Sequence, residues 1–198
     1  MSECLFRELI FFDPSKPSPS FLNQIVIGVA IMLFSNIVFA VTVKMFGKKV
    51  ESKIQEEVKD EYENYTEKEV NPNHLLISDL LNSVVYAPIT EELFFRFFLF
   101  KTLLYRKFKF NVHIANLIQG LTFGAFHITN SVFGDQQEVT TFIQIVSASI
   151  SGIINGYAYY YFNSLIPCVV AHLLNNLMAT HYNYKQYISY IDEKDKTK

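Results

Sequence analysis

Glu91 and Glu92 stand side by side in "YAPITEELFFRFFLF", residues 86–100, with Arg96 four positions beyond the second and little else polar around them. Charged side chains are costly in apolar surroundings and persist there when they are paired or do work. On a helix Glu92 and Arg96 share a face, so carboxylate and guanidinium can pair. Glu91 points about 100° away from Glu92 and is less easily taken up by that pair. It is left as a carboxylate that could accept a proton from water, the work of a general base. Two later stretches carry complementary groups. "FGAFH" puts Phe123 and His127 on one helical face, and "HLLNN" does the same for His172 and Asn176. Histidine and asparagine can hold a water, orient a base or donate to an oxyanion. Together with Glu91 they would make a water-activating site.

Each element also has a plain structural reading: an intramembrane histidine bonding a neighbouring helix, Asn175 or Asn176 as interhelical glue, and Glu92 with Arg96 as a clasp. A metal site is a further alternative. Glu91, His127 and His172 could ligate a divalent ion such as zinc, which would then acidify the water in place of the carboxylate. No His-Glu-x-x-His helix occurs, and an Asn amide is uncommon in a zinc set. The sequence therefore favours a metal-independent glutamate mechanism with no cofactor.

These residues need elements to hold them, and the composition says in what solvent. Half of the 198 residues are hydrophobic and only 18% are charged, which points to a membrane. A net charge of -2 gives no reason to expect nucleic acid as a partner. Cys4 and Cys168 read as free thiols rather than a disulfide framework. Residues 25–43 carry no charge and are long enough to cross hydrocarbon of about 30 Å at about 1.5 Å per residue. Four less pure segments follow, near 75–105, 113–132, 139–162 and 165–181. The expected fold class is therefore all-α, a multi-pass integral membrane bundle of about five spans in contact with lipid.

The chain divides into an N-terminal interfacial segment and linker (1–21), a first span (22–46), a charged amphipathic connecting helix (47–74), the membrane bundle (75–181) and a polar C-terminal tail (182–198). Lysine and arginine counts put the connecting helix on the cytoplasmic side, although the short "RKFK" loop argues the other way. Pro88 could split the second segment. Lys101 reads as snorkelling from a span end, and the tyrosine run 157–161 as an interfacial belt. Gly120 with Gly124 and Gly152 with Gly156 would let two helix backbones approach closely.

The ordered set "EELFFR", "FGAFH" and "HLLNN" resembles the EExxxR, FxxxH and HxxxN motifs of the CPBP intramembrane proteases, the CAAX-processing and bacteriocin-processing group often labelled Abi. The resemblance spans about residues 75–181. It implies endopeptidase chemistry in which Glu91 activates water, His127 positions it, and His172 and Asn176 stabilise the oxyanion. Glu92, Arg96 and Phe123 would support the site or bind substrate, a peptide or prenylated protein in the CAAX-processing members. Phe97 stands where the family commonly has glycine. A non-catalytic membrane scaffold or bacteriocin-immunity-type protein retaining the bundle is the alternative, and a small proton-coupled transporter is a third reading.

Overall fold

The computed structural model describes residues 3–46, 80–132 and 138–196, with isolated positions 52, 56, 59, 60, 63 and 77 between the first two stretches. All regular structure among them is helical, as the composition and patterning led us to expect. The connecting helix expected over 47–74 lies almost wholly outside the described residues.

The helices are α1 (Glu3–Ile10), α2 (Phe21–Phe46), α3 (80–107), α4 (Val112–Phe126), α5 (Glu138–Tyr161) and α6 (Ile166–Lys196). A single turn, Thr129–Val132, follows α4. From α2 onward the helices thread one bundle in alternating directions. Gln24 meets Ser164 and Asn36 meets Asn175, so α2 and α6 run parallel. His113 meets Tyr157 and Asn130 meets Gln144, so the α4 strand of the chain runs against α5. Contacts from Ser83 to Asn176 and from Glu92 to His172 set α3 against α6.

Helix α2 is inverted relative to a soluble amphipathic helix. It buries Gln24, Gly28, Ser35 and Thr42 and exposes Leu22, Val26, Phe34, Ile37 and Val41. Helix α4 repeats the pattern, with Asn116, Gln119, Gly120 and Gly124 inside and Ile114, Leu117 and Leu121 outside. Such surfaces suit hydrocarbon as the solvent, where apolar faces need no cover and polar groups seek partners within the bundle. Among the described residues two helices, Phe21–Phe46 and Val139–Tyr161, are long and apolar enough to cross a membrane. Of the remaining helices, α3, α4 and α6 fall short of that standard for local reasons. Helix α3 carries its charges at mid-length. Helix α4 has 15 residues and so measures about 22 Å. Helix α6 continues past His181 to Lys196, because no glycine or proline interrupts the segment expected as a tail.

Segment 113–132 is shorter than expected because α4 stops at Phe126. Thr129 Oγ1 takes the Phe126 carbonyl at 2.8 Å, a side-chain bond that competes with helix continuation. Pro88 does not split α3. Upstream of it Leu80–Tyr86 winds as a wide π-helix, Ala87–Glu92 forms α-helix with the proline in its first turn, and Leu93–Lys107 winds wide again. Proline is tolerated in the first turn of the α-wound segment, and the carbonyl upstream that its missing N–H leaves unserved can take a donor from outside the helix.

Both glycine pairs meet their expected purpose between α4 and α5. A Cβ on Gly120 would lie 2.9 Å from the Ile153 backbone nitrogen, and one on Gly152 3.1 Å from Gly120 Cα. Asn116 and Gln119 then hydrogen-bond the carbonyls of Ile153 and Gly152 at 2.9 and 2.8 Å. Gly28 makes a similar close approach to Pro167 and Val170 on α6, unforeseen from spacing because its partner residues are not glycine.

Lys101 does not snorkel. It is fully buried and donates to the carbonyl of Glu8 and, at 2.6 Å, to that of Phe11, so it caps the C-terminal end of α1. Phe12 beside it enters an aromatic cage of Phe100, Tyr105, Tyr159 and Tyr160. Tyr159 is therefore core, not belt, although Tyr161 is exposed at the same end.

Candidate active site

Glu92 and Arg96 lie on consecutive turns of α3, both fully buried, with Arg96 Nε 2.9 Å from Glu92 Oε2. The expected pair is present. Its second partner comes from α6: His172 Nδ1 lies 2.9 Å from Glu92 Oε1. An ionised carboxylate only accepts, so the ring donates through Nδ1–H and turns Nε2 toward the remaining space. There, Nε2 lies 3.8 Å from Glu91 Oε2, beyond hydrogen-bond length. Glu91 Oε2 is shielded from solvent and has no hydrogen-bond donor among the described residues. The two adjacent glutamates thus have different surroundings: Glu92 is hydrogen-bonded by His172 at Oε1 and paired by charge with Arg96 at Oε2, where contact is close but no aligned hydrogen bond forms, and Glu91 Oε2 has neither partner within hydrogen-bond distance.

Phe123 is the hub of the site. The Arg96 guanidinium sits 4.4 Å above its ring, His172 meets it edge-on at 5.7 Å, and His127 packs against it at 5.2 Å. A desolvated cation over an aromatic face contributes about 2 kcal/mol, which helps a guanidinium none of whose nitrogens makes an aligned hydrogen bond among the described residues. Phe95 meets the Phe123 ring in a T-shaped contact at 5.0 Å. The glycine seam positions this hub, because Gly152 leaves room for Phe123 where a Cβ would stand 3.1 Å from the ring.

His127 stands one residue beyond α4, its backbone N–H bonded to Gly124 at 3.0 Å. It reaches the cluster through Phe123, and its ring makes no hydrogen bond among the described residues. Asn176 lies one turn beyond His172 on α6 and donates to the backbone carbonyl of Ser83 at 2.7 Å. Five of the seven expected residues, Glu91, Glu92, Arg96, Phe123 and His172, therefore form one cluster. His127 borders it by ring packing, and Asn176 is tied to α3 beside it. Asn175 serves as interhelical glue, its Oδ1 3.0 Å from Asn36 Nδ2.

Among the described residues no three His, Cys, Asp or Glu side chains converge as a metal-binding group. The contact of His172 with Glu92 and the engagement of Ser83 were not evident from the sequence. Ring-nitrogen pairing across 80 positions leaves no spacing signal, and a backbone carbonyl has no residue type to mark it.

The family model "Type II CAAX prenyl endopeptidase Rce1-like" matches residues 73–178, more than half of the chain. The chain belongs to the Rce1-like family. The match covers α3, α4, α5 and the part of α6 that carries His172 and Asn176, so every residue of the cluster lies within it. No curated protein and no solved structure was found to match the chain. Membership places the chain in a membrane-embedded protease family and agrees with the resemblance read from the three motifs.

Proposed function

We propose that this Rce1-like chain is a multi-pass intramembrane endopeptidase in which Glu91 activates the attacking water. The observation that carries the reading is the difference between the two glutamates: Glu92 takes a hydrogen bond from His172 at Oε1 and has the Arg96 charge 2.9 Å from Oε2, while Glu91 Oε2 has no hydrogen-bond donor among the described residues and lies 3.8 Å from His172 Nε2. Glu91 takes a proton from water as the water oxygen attacks the scissile carbonyl, and the proton passes to the leaving amide nitrogen. His127 bounds the space in which that water is held. His172 acts through Nε2, which in the protonated ring donates to the oxyanion, while Glu92 fixes the ring through Nδ1, as the aspartate does in a serine-protease triad. Asn176 supplies a second donor. Arg96 neutralises Glu92, and Phe123 keeps the histidines and guanidinium in register.

The substrate class implied by family membership is a prenylated CAAX protein, cleaved after its lipidated cysteine at the membrane. No metal enters this sequence of steps, because a positioned carboxylate can supply the base. Purified protein in lipid should cleave a farnesylated CAAX peptide, and Glu91→Ala should lower turnover by about 10²–10⁴-fold with its melting temperature unchanged. Wild-type turnover in that variant would refute the assignment.

A further inference from the structure

We propose that Pro88 is a positioning residue, setting the amide of Asn176 through the backbone carbonyl of Ser83; this rests on the reading of Asn176 as an oxyanion donor. Ser83 lies inside the π-wound segment Leu80–Tyr86. In that winding a carbonyl accepts from the N–H five residues ahead. Five residues beyond Ser83 is Pro88, which has no N–H to give. A helix carbonyl left without a donor in apolar surroundings is costly and takes one from a neighbouring helix. The donor here is Asn176 Nδ2 at 2.7 Å.

This contact decides which end of the amide faces α3. The carbonyl accepts and cannot donate, so Asn176 must present nitrogen and turn Oδ1 away. One N–H is spent on Ser83, and the second remains on the same side as the glutamate helix, one turn from His172. An oxyanion needs a donor there, and the flipped amide would offer an oxygen. A residue with an N–H at position 88 would satisfy Ser83 from within α3 and leave the amide free to rotate. Proline in "APITEE" thus acts on the site by what it withholds, at four positions' distance from Glu92 in the chain.

The test is a double-mutant cycle on the full chain in lipid, using Pro88→Ala, Asn176→Ala and both together. Thermal unfolding reads the link without reference to activity. Asn176→Ala should lower the melting temperature when residue 88 is proline and lose most of that effect when it is alanine. Equal losses in the two backgrounds would overturn the proposal. Turnover of a farnesylated CAAX peptide reads the positioning role. Pro88→Ala should lower kcat on the order of ten-fold with KM little changed, and should add nothing in the Asn176→Ala background. A wild-type kcat in Pro88→Ala, or additive losses, would also overturn it. If the wild type cleaves no peptide, the protease reading fails, and the thermal cycle still decides the link among Pro88, Ser83 and Asn176. Asn176→Asp gives a second variant of the same shape that cannot donate, and it should behave as Asn176→Ala in both measurements.

Discussion

Glu92 and Arg96 form an ion pair from which water is excluded, and such pairs are sensitive to losing one member. Arg96→Leu would leave the Glu92 carboxylate buried with His172 as its single partner. It should cost about 3–5 kcal/mol of stability, read as a lower melting temperature in lipid or detergent. Near-wild-type stability would mean that the guanidinium is not holding the carboxylate. The separation of Glu91 from Glu92 was legible from spacing alone, since one glutamate is four positions from the arginine and the other five. The sequence could not show that His172 would side with Glu92. That contact depends on the packing of α3 against α6, and helical periodicity reports only which residues share a face within one helix. Phe123 was legible as a member of "FGAFH", but its position beneath the guanidinium follows from the tertiary approach of α4 to α3.

At the scale of elements, the seam between α4 and α5 sets where Phe123 and His127 stand. Gly120→Ala would drive a methyl group toward the Ile153 backbone nitrogen, an atom that cannot rotate aside, and should cost about 1–3 kcal/mol. A melting temperature equal to wild type would show that the helices have slack. These glycine pairs were readable because close approach requires them in a fixed spacing. The winding of α3 was not, because π and α segments share the same apolar composition and differ only in which N–H each carbonyl meets. The end of α4 was also hidden, since "FHIT" carries neither glycine nor proline. Helix α1 is held by charge as well as by Phe12. Arg106 bonds Glu8 at 2.8 Å, and this bond, with help from Lys101, holds the Glu8 carboxyl below its usual range against the opposing effect of burial. A depressed carboxylate contributes above its unfolded pKa and loses its contribution as pH falls through the folded one. Protection of the α1 amides, taken relative to their intrinsic exchange rates, should fall on acidification across that window, and Glu8→Gln should remove that pH dependence. Protection that is equally pH-sensitive in Glu8→Gln would assign the effect to another group.

Across the described residues, α2 and α4 bury polar side chains such as Gln24, Ser35, Asn116 and Gln119 while exposing many of their large apolar ones, and the charges deep in α3 are those of the site and of Lys101. This arrangement explains why composition was enough to indicate an all-helical membrane bundle, while the number of spans was harder to read. Helices α3, α4 and α6 trade apolar length for site residues, early termination or extension, so by length and hydropathy only α2 and α5 qualify as candidate spans among the described residues, against the five expected. The central claim is that one fold keeps two adjacent glutamates in different states of engagement, one clamped and one available. It is tested most directly by the turnover of Glu91→Gln per folded molecule on a farnesylated CAAX peptide in lipid, compared with wild type and with a metal chelator present throughout. The account predicts chelator-insensitive cleavage by the wild type and a loss of about 10²–10⁴-fold in Glu91→Gln at unchanged melting temperature. Wild-type turnover in Glu91→Gln, or cleavage that the chelator abolishes and zinc restores, would contradict it.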